Sequence, residues 1–256
     1  MPTIVDLFNR SYEQMAELGY FDEAFGSHCV DLGFTPGSVA DVSLEILLSI
    51  RKNNLWPIHE YGTSYDEDDL FDVIEFLYQH VSKPVDGNLH NYGNCGMHWH
   101  TFSKQAGQKE FRNRMNQVLM HYKKRFELSE NGEILNKPEA GFEAIFRADI
   151  PTNDDKIRSR IDSAVRLYLR HRASIDDRRQ AVRELCDVFE YLRPRLQAAL
   201  TRSDESDLFN IANNFGIRHH NESQKTDYDV GIWLSWMFYF YLATIHVALR
   251  KLKLET

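Results

Sequence analysis

The chain has no Gly-x-x-x-x-Gly-Lys loop, no Gly-x-Gly-x-x-Gly fingerprint and no Gly-x-Ser-x-Gly elbow. ATP hydrolysis and acyl transfer by those routes are therefore disfavoured. Cysteine is scarce: Cys29, Cys95 and Cys186 lie far apart and cannot all pair among themselves, which fits free thiols in a reducing compartment better than a disulfide scaffold. No cationic, apolar leader opens the sequence, so export is not expected and a cytoplasmic location is. Internal repeats and low-complexity tracts are also lacking.

Hydrophobic residues make up 43% of the 256 and charged residues 27%, the balance of a folded globular chain rather than a disordered one. The net charge of −8 is unevenly placed. Residues 153–202 carry twelve Lys and Arg against eight Asp and Glu, whereas residues 1–152 carry a balance of −10. An acidic front and a basic middle predict two domains with different roles, and Pro151-Thr152-Asn153 is the expected boundary, giving modules over 1–151 and 152–256.

Between Ile232 and Leu249 there is no Asp, Glu, Lys or Arg. That run is at the lower length limit for a membrane span, and its aromatics are spread along it instead of grouped at two interfaces. Ser235, Thr244 and His246 interrupt it, and a central helix of a bundle is the expectation, with no membrane partner.

Apolar residues at three- and four-residue intervals predict a helix over 3–18, a second beginning at Asp41, a third over 70–81 behind Asp66-Glu67-Asp68-Asp69, and a fourth over 108–128. Residues 19–38 and 85–106 break the pattern and read as irregular. Asn131-Gly132 is a strong turn signal inside a small hairpin or extended connection. Helices over 154–172 and 175–199 follow, the second bent or restarted at Pro194, then a shorter one over 204–215 and the apolar run. The fold class expected is mainly α, with a small irregular or hairpin segment in the N-terminal helical module and a four-helix bundle behind it.

Two constellations carry chemistry. Arg218, His219, His220 and Asn221 stand at the mouth of the apolar run. A solvated loop is the ordinary reading of such a junction, but the neighbouring buried helix demands that polar groups against it be paired or poised. A guanidinium matched to phosphate, two imidazoles that exchange protons near neutrality and a carboxamide suit metal-independent cleavage of a phosphodiester. The second constellation is His90, Cys95, His98 and His100 in HNYGNCGMHWH, imidazoles and a thiol at spacing short enough for zinc, though not a standard paired knuckle. Ordinary loop packing is the alternative.

The segment FGIRHHNESQKTDYD, together with IRKNNLWPIHEYG and FELSENGEI, resembles the bacterial abortive-infection proteins of the J type. In these, an N-terminal module precedes a higher eukaryote and prokaryote nucleotide-binding (HEPN) domain, an all-helical bundle. The resemblance covers nearly the whole chain. It implies a HEPN-like C-terminal bundle, a ribonuclease needing no metal, RNA as partner, a homodimer whose two motifs face one cleft, and a role in phage defence. The family motif is Arg, a polar residue, and His four to six places after the Arg. Arg218 and His219 match its first two places, whereas positions 222–224 hold Glu222, Ser223 and Gln224. That departure keeps a non-catalytic dimerisation or adaptor protein, with a partner protein, as the alternative.

Overall fold

A computed structural model of the chain describes residues 2–122, 125–196 and 229–254. It is mainly helical and divides into two compact units, Met1–Leu135 and Asn136–Thr256. The division falls ahead of the boundary expected at 151. Asn136 already belongs to the second unit through its Nδ2, which donates to the carbonyls of Leu169 and Arg170, as do Phe142 and Phe146, which stack on Tyr239 and Phe238.

The first unit is assembled from short pieces around three helices. Helix α1 (Ile4–Glu17) starts at a reciprocal cap in which Thr3 Oγ1 accepts from Asp6 N and Asp6 returns the bond to Thr3 N. A one-turn helix, α2 (Asp22–Phe25), leads into the β1–β2 hairpin (Ser27–Cys29 and Gly33–Thr35). Helix α3 (Val42–Ile50) is capped by Asp41 and ends at Arg51 in left-handed conformation. After the one-turn α4 (Ile58–Tyr61), Asp66 caps α5 (Glu67–His80), whose acidic first turn suits the helix dipole.

An antiparallel ribbon of β3 (Lys83–His90) and β4 (Gly96–Ser103) runs into α6 (Lys104–Leu119). The hairpin β5–β6 (Phe126–Leu128 and Ile134–Asn136) turns at Asn131-Gly132, where Gly132 has φ +82° and lies against the Tyr78 ring. Phe8, Met15, Phe71, Ile74, Leu77, Phe111 and Met115 from α1, α5 and α6 form the core.

Two expectations change here. Residues 19–38 and 85–106 hold hairpins, not irregular chain. Their strands carry no alternation to read: β1 buries only Cys29 and β3 has no fully buried residue, so neither shows a period-two apolar face. The helix expected over 108–128 stops at Leu119, since Asn116 turns back to bond Leu128 N and O and docks β5 against it.

In the second unit, α7 (Glu143–Arg147), α8 (Asp155–Leu169) and α9 (Ile175–Leu196) pack with the aromatic helix Val230–Leu254. Helix α9 runs through Pro194 to Leu196, the last residue described before 229, so no restart falls at the proline among the described residues. Leu234, Met237, Phe238, Tyr241, Leu242 and Ile245 of the aromatic helix are buried. Tyr168 of α8 stacks on Phe238 with ring centroids 4.0 Å apart, and its hydroxyl donates to Ser235 Oγ at 2.8 Å. The helix is also apolar and long enough to cross a bilayer, with half of its most apolar window buried inside the unit. The helix expected over 204–215 lies outside the described residues.

Candidate metal centre

Cys29, His90, Cys95 and His98 each present one ligand atom, and these four atoms lie within 4.8 Å of one another. Two hairpin tips bring them together. Cys29 ends β1, opposite Gly33, whose φ of +72° permits the tight return of the chain. His90 ends β3, opposite Gly96; Cys95 follows the single 3₁₀ turn at Tyr92–Asn94, and His98 pairs with Asn88 across the ladder. The two tips touch: a Cβ on Gly93 would stand 3.3 Å from Val30 Cγ2.

Directly opposed residues of an antiparallel ladder share a face. His90 opposite Gly96 and Asn88 opposite His98 therefore set both imidazoles on one side, with centroids 5.2 Å apart and planes at 79°. His90 Nδ1 lies 3.8 Å from Cys29 Sγ, and His98 Nε2 lies 3.2 Å from Cys95 Sγ. The other nitrogen of His90 is 3.2 Å from Asp31 Oδ2. A carboxylate behind an imidazole fixes the ring's tautomer and orientation, the usual support of a histidine ligand. Burial raises the Asp22 carboxyl above its ordinary range, and the neighbouring His98 pulls it back.

Cys29 is 3% exposed, and the other three are half-buried. A tetrahedral zinc ion needs ligand atoms about 3.3–3.8 Å apart, given Zn–S near 2.3 Å and Zn–N near 2.0–2.1 Å. Closing this set onto an ion takes movements of roughly 1 Å or less per side chain. Two thiols and two imidazoles are soft and borderline donors, the chemistry of zinc rather than of magnesium or calcium.

Of the residues the sequence singles out, His90, Cys95 and His98 converge and His100 does not. His100 lies one two-residue step further from the tip, about 7 Å along the strand, and its Nε2 is 2.9 Å from Asn88 Nδ2. Cys29 occupies the remaining corner, and Asp31 stands behind His90; sequence reading missed both. Nothing local marks Cys29 as a ligand, and the one available hint was a second cysteine in the acidic half of the chain. Arg218, His219, His220 and Asn221 lie outside the described residues. The aromatic helix begins just beyond them, with Asp229 Oδ1 accepting from Ile232 N at 3.0 Å. Comparison with protein-family models, curated proteins and solved structures finds no match to this chain.

Proposed function

We propose that the N-terminal unit is a zinc-binding module in which the ion clips the β1–β2 hairpin to the tip of the β3–β4 ribbon. The convergence of Cys29, His90, Cys95 and His98 carries this reading. Four protein donors fill a tetrahedral shell and leave no position for water or substrate, so the ion's role is structural. Metal analysis of the purified full-length chain tests it: about one equivalent of zinc per chain is expected, and less than half an equivalent counts against the site. Cys29→Ser should lower the zinc content, whereas His100→Ala should leave it unchanged.

For the chain as a whole we propose an RNA-directed effector of phage-defence type, in which the acidic N-terminal unit senses or restrains and the C-terminal helices act. Support comes from FGIRHHNESQKTDYD standing immediately ahead of a helix that starts at Val230 and buries much of its length. Arg218 would neutralise charge developing on phosphorus while His219 or His220 moves the proton and Asn221 orients an oxygen. RNA is the fitting substrate because its 2′-hydroxyl is an internal nucleophile, and the basic helices from Lys156 onward would contact its backbone. Glu222, Ser223 and Gln224, where a histidine would complete the motif, favour a second reading as a non-catalytic dimer or adaptor. Incubation with total RNA separates the two: cleavage lost in Arg218→Ala and His219→Ala supports the nuclease, and equal activity in all three samples refutes the assignment of these residues.

A further inference from the structure

We infer that Cys29 and Cys95 form an oxidation site, a thiol pair that hydroperoxides convert to a disulfide with release of the metal. This rests on the zinc reading above. The two sulfurs belong to the same cluster and lie within 4.8 Å of each other, so a bond of about 2.05 Å requires an approach of no more than roughly 2.8 Å. Burial divides the roles. Cys95 sits half-buried at the end of an exposed 3₁₀ turn, where a small oxidant reaches it; Cys29 is 3% exposed and faces it from the other hairpin.

The steps balance without another reactant. The Cys95 thiolate attacks one peroxide oxygen and the O–O bond breaks. Cys95 becomes a sulfenic acid, and the departing oxygen leaves as hydroxide from hydrogen peroxide, or as alkoxide from an organic hydroperoxide, and takes a proton to form water or an alcohol. The Cys29 thiolate then attacks the Cys95 sulfur, the S–S bond forms, and the S–O bond breaks to release hydroxide that is likewise protonated. Two electrons pass from two thiolates to one peroxide. His90 and His98, left with two donors of four, no longer hold zinc tightly. The hairpin tips stay joined, because a covalent bond replaces the ion between the same two segments.

The exchange is tested on the full-length zinc-loaded chain treated with hydrogen peroxide. Released zinc is followed with a chromogenic chelator, and a digest made without reductant is mapped by mass spectrometry. Release of about one equivalent together with a Cys29–Cys95 linked peptide, both reversed by dithiothreitol and added zinc, is the expected result. Zinc retained through oxidation overturns the inference and leaves the metal reading standing. So does zinc released with Cys95 carried on to sulfinic acid, or linked to Cys186. A chain that takes up no zinc at all removes the metal reading and this inference together. As a variant, Cys29→Ser should leave Cys95 without a partner and drive it to sulfinic acid under the same treatment.

Discussion

The two units solve the same problem with different materials. The second uses helices of 15, 22 and 25 residues, long enough to present continuous apolar stripes, with buried aromatics meeting between them in the pairs Tyr168–Phe238 and Phe189–Tyr241. The first has a comparable core on α1, α5 and α6, but its hairpin tips stand outside it. Val30, Leu32 and Phe34 on one tip and Leu89, Tyr92 and Met97 on the other remain exposed. Isolated two-stranded hairpins are marginal in water, and burial does not hold these two together. The contrast bears on the proposed site: where a chain does not close a contact with apolar area, a metal held among Cys and His would close it.

The largest expected effect tests whether the cores are equivalent despite this difference. Phe71→Ala and Phe238→Ala remove fully buried rings, the first meeting Phe126 edge-on at 4.7 Å and the second stacked on Tyr168 at 4.0 Å, and each should cost about 3–5 kcal/mol in denaturant unfolding. A cost below about 1 kcal/mol for Phe71→Ala would mean that the short-element unit does not depend on its core.

Zinc removal sharpens the contrast next. With free zinc about a hundredfold above its dissociation constant, the ion stabilises by about 3 kcal/mol, so a chelator should lower the unfolding midpoint of the wild type and of His100→Ala alike. Cys29→Ser should be insensitive to it. Equal chelator sensitivity in Cys29→Ser would break the assignment of the fourth ligand.

The smallest effect belongs to the second unit. His246 is buried on the aromatic helix, and burial lowers its pKa below 6.5, helped by Arg250, while a hydrogen bond with the Ala148 backbone pulls the other way. The folded state therefore binds this proton less readily than the unfolded state. The penalty is absent well above 6.5 and grows as pH falls through the unfolded value, levelling off below the folded one. His246→Gln should flatten the difference between unfolding midpoints at about pH 7.5 and about pH 5.5; an unchanged difference would place the dependence elsewhere.

Much of the helical framework was legible because helix signals are local. Asp41 caps α3 and the acids at 66–69 open α5, both inside a single turn of chain, and the spacing of Phe111, Met115 and Val118 marks the buried face of α6. The turn at Asn131-Gly132 was legible for the same reason. The ribbon β3–β4 was not, since exposed strands carry no alternation, and neither was the early end of α6, which Asn116 settles by a contact with a segment twelve residues on.

The candidate centre divides in the same way. Its short-range part, His90, Cys95 and His98, is written in one stretch of nine residues. His100 looks equivalent to His98 on paper, and only the ladder shows that it is a step too far from the tip and held by Asn88. What the sequence determined by itself is the set of donors and helices whose partners lie a few residues away, where geometry follows from chain connectivity. Only the tertiary structure decided that Cys29, 61 positions before His90, completes the set, because contact between distant segments depends on how whole elements pack and leaves no periodic trace in the residues that meet.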